Sequence, residues 1–390
     1  MKRVGELVTE ELVVKPPEFL VRQLVQGRFC CEDCMNRTIE KPLPPRPIEQ
    51  GRPSPSLLAY IIVSKWVDHM PLYRQEQIYK RIGYALSRKT MDGWLGILAD
   101  LLRPIVDAID QRLLATSFLQ ADETTMRYIA DEKKGKSQQG YLWAVTRPRE
   151  EIVYHFTKSR SGKYAKRFLA GFRGKVQSDG YAGYDGLVHQ GVTLLACMAY
   201  IRRGFYEARC ALPEEVKQIL TLIRDLYLIE RRRREEQLDA EVFAALRESE
   251  SKPIVAKLRE KIDRIAEAVL PQSKLGKAAA YARNMWSRFE ETLATPEAPI
   301  DNNWVENAMR PAVLGRKNWL QLGSAAGGGN RLEVFLTLAQ SCRRLGANAF
   351  DYLEDVIERI SVHPQSRVHE LTPRGWMQAR GLPIAAERED

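Results

Sequence analysis

The sequence predicts an α/β fold: a mixed sheet with helices, interrupted by an all-helical insertion and preceded by a helical region. Three observations carry this. Residues 117–128 (SFLQADETTMRY), 140–146 (GYLWAVT) and 151–156 (EIVYHF) are apolar at strand length and spacing. After a helical stretch at 161–172, residues 174–179 (GKVQSD) and 192–199 (VTLLACMA) repeat the strand signal. Residues 212–296 then show only helical stripes, such as Val216, Ile219, Leu220, Ile223 and Leu226.

The 390 residues divide into five parts. Residues 1–50 hold two valine-rich stretches, 7–14 and 19–25, that read as short strands, a cysteine cluster, and the stiff Pro-rich linker 41–47. Residues 51–115 are helical. Ser54 or Ser56 caps the first helix, Pro71 starts the second, Gly83 ends it, and Ser87 precedes a third. Helix, short turn, helix is a helix-turn-helix pattern, with Arg88 and Lys89 where base-reading residues would sit. A plain helical hairpin explains the pattern equally well.

Residues 116–211 carry the strands, and 212–297 the helical insertion, broken near Pro253 and Pro271. The run Arg231–Arg234 meets Glu235 and Glu236 at helical spacing, which favours a solvated face over a nucleic-acid contact. Residues 298–390 complete the sheet-bearing part. Residues 323–330 read as a glycine-rich loop without the Gly-Lys-Ser/Thr of a nucleotide-binding loop. Helices follow at 332–344 and 349–360, and the tail from Ser361 reads as polar surface.

The net charge of +10 favours an anionic partner, with nucleic acid foremost. No signal peptide or membrane-length apolar run is present, and the six cysteines do not form a disulfide framework, so a reducing cytoplasm is expected. Cys31 and Cys34 have the spacing of half a zinc site. Structural zinc needs four ligands, so a stable zinc is not expected here.

Three acids stand out. Asp122 falls inside the first strand, where a carboxylate needs a cation or hydrogen bonds to offset its burial. An acid at a frayed strand end is the bland alternative. Asp179 ends a later strand, and Glu306 lies on a helix after the insertion. Acids on the first and fourth strands and on a later helix match a ribonuclease-H-like sheet. Clustered carboxylates repel one another and raise each other's pKa, a cost that Mg²⁺ or Mn²⁺ removes. The three carboxylates are therefore expected within metal-bridging reach of each other.

The stretches MPLYRQEQIYKRIG, LQADET, SDGYAGYDG, ACMAYIRRGFYEA, LGKAAAYARNMW, IDNNWVENAMRP and LGRKNW, in this order, resemble the large transposase of bacterial insertion sequences of the IS-sixty-six type, a DDE transposase. The resemblance implies that Asp122, Asp179 and Glu306 form the catalytic triad and hold two Mg²⁺ (or Mn²⁺) ions for DNA strand cleavage and transfer. It implies DNA as partner, both the element's terminal repeats and the target, with a homo-oligomer and accessory proteins of the same element in the transposition complex. Arg202, Arg203, Arg310, Arg316 and Lys317 become candidates for phosphate contacts, and Trp286 or Trp304 for base stacking, with core packing the alternative for Trp286. Two departures are expected to matter. The family carries a further N-terminal region with a first Cys-x-x-Cys, so the chain is expected to be a truncated or internally initiated copy. Tyr200 stands where the family carries a histidine, and a tyrosine does not titrate near neutral pH. An impaired, truncated DNA-binding relic is the alternative; a host nuclease of the same fold is argued against by the insertion and the motif order.

Overall fold

The computed structural model describes residues 9–13, 17–30, 38–40, 43, 45–48, 53–130 and 136–384. Residues 9–13 and 17–27 are not strands as expected. Their valines and leucines are exposed and pair with nothing, while Phe19 stacks on Tyr84 with ring centroids 4.7 Å apart. The strands β1 (Arg28–Cys30) and β2 (Thr38–Glu40) instead form a small antiparallel pair.

Helices α1 (Pro55–Trp66), α2 (Leu72–Arg81) and α3 (Arg88–Leu114) follow. The Leu57 amide donates to the Ser54 hydroxyl and the Thr90 amide to the Ser87 hydroxyl, so serine side chains satisfy free N–H groups at two helix starts. Gly83, at φ +92°, turns the chain between α2 and α3. The stripe Met91, Leu95, Leu98, Leu102, Ile105, Ile109 and Leu113 buries α3 in the same core as the sheet. Only its first turn, with Arg88 and Lys89, is exposed throughout.

The main sheet has the order β5-β4-β3-β6-β7. Strands β3 (Phe118–Ile129), β4 (Ser137–Thr146) and β5 (Ile152–Thr157) form an antiparallel meander. After α4 (Gly162–Phe168), β6 (Lys175–Gln177) returns parallel to β3, and β7 (Thr193–Leu195) parallel to β6. The last strand is shorter than its apolar run. Leu195 ends it, and after Cys197 Met198 begins α5 (Met198–Glu207), so Tyr200, Arg202 and Arg203 are helical.

Helices α6 (Pro213–Glu235), α8 (Lys252–Ala268) and α9 (Lys274–Leu293) build a second core with α5, and the short α7 (Ala240–Leu246) lies between α6 and α8 in the chain. Pro253 does not break this part. It occupies the first turn of α8, where its missing N–H is not needed, and a π-helical stretch, 247–251, joins α7 to α8 without a loop. Arg247 within that stretch is buried, and its guanidinium donates to Glu230 and to the carbonyl oxygens of Thr292, Thr295 and Ala298.

The chain closes with α10 (Asn303–Trp319), α11 (Ala325–Leu345), α12 (Ala349–Arg359) and α13 (Pro373–Ala379). Residues 325–330 are not a loop but the first turns of α11, with Gly327 donating to the Ser324 hydroxyl. The glycines answer a packing need. A Cβ on Gly328 would stand 2.1 Å from the Leu322 carbonyl oxygen, and one on Gly329 2.7 Å from the Phe156 ring. The tail is not polar surface either: Leu371, Trp376 and Met377 are buried against α3, α11 and α12. Short apolar anchors spaced among charged residues hid this in the sequence.

Gly328→Ala is expected to cost about 1–3 kcal/mol, because its clash is with backbone and cannot be relieved by a rotamer change. Urea denaturation checks this; an unchanged midpoint and slope would show that α11 can shift freely against residue 322.

Candidate active site

Two buried glutamines organise the site. Gln120 on β3 and Gln177 on β6 are register partners, and both are fully buried. The Gln120 amide nitrogen donates to Gln177 Oε1 at 2.8 Å and to the Asp301 carbonyl at 3.0 Å. Gln177 donates to the carbonyls of Ala196 at 3.1 Å and Pro299 at 2.8 Å. The pair thereby ties β3, β6, the end of β7 and the segment leading into α10. Asp122 and Asp179 each lie two residues beyond one glutamine, and Glu306 lies in the first turn of α10.

On β3 the side chains alternate, and Asp122 and Glu123 take different roles. Asp122 is opposite Ala144, which is opposite Tyr154, whose hydroxyl donates to the Ala308 carbonyl of α10. Further along, the Arg316 guanidinium donates to the Thr125 hydroxyl at 2.8 Å. Helix α10 thus crosses β3 near Asp122.

The Asp122 carboxyl is pushed up to about 8, first by burial and then by the Glu123 and Asp179 carboxylates, with Glu306 adding to the same direction. Burial also raises the Glu306 carboxyl, against the pull of the Arg203 guanidinium. Glu306 Oε1 is a buried atom with no hydrogen-bond partner. Tyr200 lies in the same field: burial raises its phenol, and Glu306, Asp122 and Asp179 all act in that direction. Asn302, fully buried before α10, has neither amide atom hydrogen-bonded. Among the described residues, no three Asp, Glu, His or Cys side chains stand together closely enough to ligate one ion as they are posed. The acids share one electrostatic field without a ready-made ligand cage.

Asp179 is held from several directions. Gly180, at φ +83°, folds the chain back so that the Tyr181 amide donates to Asp179 Oδ1 at 2.9 Å. The Tyr281 hydroxyl of α9 donates to the Asp179 carbonyl at 2.7 Å. Arg160 approaches Asp179 Oδ2 at 3.9 Å while donating to Glu123 and lying 3.7 Å over the Tyr181 ring. Tyr184 donates to the other Glu123 oxygen at 2.7 Å. Glu123, Arg160, Tyr181, Tyr184 and the two glutamines were not singled out in the sequence. A signal was there for the glutamines: Gln-x-Asp occurs as QAD at 120–122 and as QSD at 177–179.

Comparison with known proteins agrees with this architecture. The Transposase IS66 family matches residues 50–330, and the IS66 C-terminal element matches 337–374. The chain belongs to the IS66 transposase family. Three uncharacterized proteins of Sinorhizobium fredii (strain NBRC 101917 / NGR234) are similar along nearly its whole length. Protein y4qI is 33% identical over 388 residues, 95% of this chain and 71% of its own. Protein y4jD is 31% identical over 376 residues, 92% of this chain and 73% of its own. Protein y4hP is 30% identical over 409 residues, 98% of this chain and 73% of its own.

The basic residues expected to meet DNA in this IS66 chain separate into groups. Arg203 and Arg310 act on Glu306 electrostatically, and Arg203 also lies 4.7 Å from the Tyr200 ring centre. Arg316 is bonded to β3. Arg202 lies over Tyr206 on another side of α5. Lys317 is exposed late in α10, and Arg88 and Lys89 open α3. Trp286 is buried in the second core and Trp304 is half-buried. Cys31 and Cys34 lie outside the described residues. No described helix is long and apolar enough to cross a membrane.

The raised Asp122 carboxyl has a stability consequence with a definite sign. Between the unfolded value near 4 and the folded value near 8, the native state holds a proton that the unfolded chain has released. Metal-free wild type should lose this contribution as pH rises through that window, and Asp122→Asn should not. The variant's advantage is expected to grow by roughly 1–3 kcal/mol between about pH 4.5 and 8.5, read from urea denaturation in chelator. A difference between the two proteins that does not change with pH would contradict the shift.

Proposed function

We propose that this chain is a DDE transposase that cleaves and transfers DNA strands of an insertion sequence, with Asp122, Asp179 and Glu306 as its catalytic carboxylates. The observation that carries the reading is their shared electrostatic field, built from a strand, the turn after a second strand and a helix distant in sequence, within an IS66 family chain. The five-stranded mixed sheet, with α10 across the central strand, supports a ribonuclease-H-like core. In this reading 51–115 is a DNA-binding helical region, 116–211 and 298–390 form the core, and 212–297 is an insertion.

The donor set suits a hard divalent cation. All three groups offer carboxylate oxygen, Asp122 is held in an environment that resists a bare negative charge, and Glu306 Oε1 has no other partner. Asp122, Asp179 and Glu306 would hold Mg²⁺ or Mn²⁺, which supplies Lewis-acid stabilisation of a phosphodiester and a stronger nucleophile at neutral pH. The chain's own groups do the positioning. Arg160 neutralises buried Glu123 and steadies Asp179, so that the excess negative charge facing the DNA is limited to the three acids. Arg203 and Arg310, both exposed beside Glu306, receive backbone phosphates and draw the scissile strand to the carboxylates. Tyr200 borders the acids as a neutral phenol and takes no proton from the reaction.

Asp122→Asn, Asp179→Asn and Glu306→Gln are each expected to lower divalent-dependent cleavage of terminal-repeat DNA by roughly 10³-fold or more. DNA affinity measured by anisotropy should stay within about threefold, since none of the three donates to phosphate. Full cleavage by any one variant would remove that residue from the assignment.

Tyr200→His places a group that titrates near neutral pH against the same acids. Its cleavage rate should show an added ionisation between about pH 6 and 8 that wild type lacks. Superimposable pH profiles would show that position 200 does not reach the reacting groups.

A further inference from the structure

Helix α5 presents two basic faces, and only one looks toward the acids. Arg203 acts on Glu306, whereas Arg202 turns toward α6. There a cleft of about 490 Å³ opens between α5 and α6. Pro213, Val216, Leu220 and Tyr227 give it an apolar, partly aromatic floor. Arg202, Arg209, Lys217 and Arg224 stand around it, all four exposed. Among the described residues Arg202, Arg209 and Lys217 make no ion pair with a carboxylate. Arg224 pairs with its neighbour Asp225 at 2.9 Å, an exposed contact worth little. Arg202 and Arg209 flank the exposed ring of Tyr206, at 5.8 and 4.3 Å from its centre.

Four exposed basic side chains around one cleft, three of them without an ion pair among the described residues, favour an anion there. The volume lies in the range of small-ligand sites, too small for a duplex but suited to one base. An apolar floor with tyrosines and a cationic rim is the arrangement that takes stacked bases and their phosphates together. Tyr227 also bonds to Asp301, which accepts from the Asn303 amide at the start of α10, so the cleft floor is joined to the helix that carries Glu306.

We propose that the α5–α6 cleft binds an unpaired nucleotide of a DNA strand, its base on the Pro213–Val216–Leu220–Tyr227 floor and its flanking phosphates on Arg202, Arg209, Lys217 and Arg224. The choice of nucleic acid as the anion rests on the transposase reading; the site itself rests on the cleft.

The test is anisotropy of the full chain, without divalent cations, on a labelled single strand and on a duplex of the same sequence. The triple variant Arg209→Gln, Lys217→Gln, Arg224→Gln is compared with Lys252→Gln, Lys257→Gln, Arg264→Gln, an equal loss of charge on α8. The cleft variant should weaken single-strand binding at least about tenfold and lower the slope of log affinity against log salt by about 2, with a smaller loss on duplex. The α8 variant should stay within about twofold of wild type. Equal losses from both triples, or equal losses on both DNA forms, would overturn the proposal. An oligonucleotide carrying 5-iododeoxyuridine should photo-cross-link to Tyr227 in the cleft or to Tyr206 beside its arginines; attachment only elsewhere would overturn it too. Neither assay involves cleavage, so failure here leaves the carboxylate assignment standing, and an active Asp122→Asn protein would leave the cleft standing.

Discussion

The hydrogen bond between Gln120 and Gln177 is the constraint on which the rest of the site depends. It joins the central antiparallel strand to the first parallel one, and the remaining amide donors reach two further segments. Fully buried amides are costly to leave unsatisfied, so four chain segments are held in one register by groups that have nowhere else to bond. Gln120 is two positions before Asp122 on β3 and so on the same strand side, whereas Asp179 lies two residues past Gln177, in the turn after β6. The Asp301 and Pro299 carbonyls complete the network and set where α10 starts. Placement of all three acids thus follows from one dry polar cluster beneath them.

Above that cluster the physics is reversed. The glutamines are buried and largely satisfied, while Asp122 is buried among other carboxylates and Glu306 Oε1 has no hydrogen-bond partner. A carboxyl in that position is kept protonated or finds a cation. The neighbouring acid, Glu123, shows the contrast: it is just as enclosed but receives Arg160 and Tyr184. One strand therefore carries an acid neutralised by an arginine beside one that faces other carboxylates. That difference, more than acidity as such, separates a candidate metal ligand from a structural ion pair.

Much of this was legible in the sequence. The strand segments and the all-helical stretch 212–296 came from apolar period, whereas the pairing and direction of the strands did not; Asp122, Asp179 and Glu306 drew notice by their positions, although β6 stops at Gln177 and leaves Asp179 in the turn beyond it. What escaped notice involved packing. Glycines 327–329 read as a loop because their close approach to Leu322 and Phe156 is a tertiary fact. Pro253 read as a break because the π-helical stretch before it leaves no local mark. The tail read as surface because its buried Leu371 and the pair Trp376–Met377 are isolated among polar residues and turn formers. The valine-rich start read as strand, yet its described residues find no partner to pair with. The repeated Gln-x-Asp pattern was visible and carried the organising contact, but two uncharged residues beside conspicuous acids drew no attention.

The central claim is that Asp122, Asp179 and Glu306 act as one cation-binding unit. The most direct measurement is an anomalous-difference map from crystals of the protein grown with Mn²⁺. The account predicts a peak at coordination distance from the Asp122 and Asp179 carboxylates, about 2.0–2.3 Å, with Glu306 turned toward the same space. Strong manganese peaks elsewhere with none between the aspartates, or Glu306 directed away on an ordered α10, would contradict it.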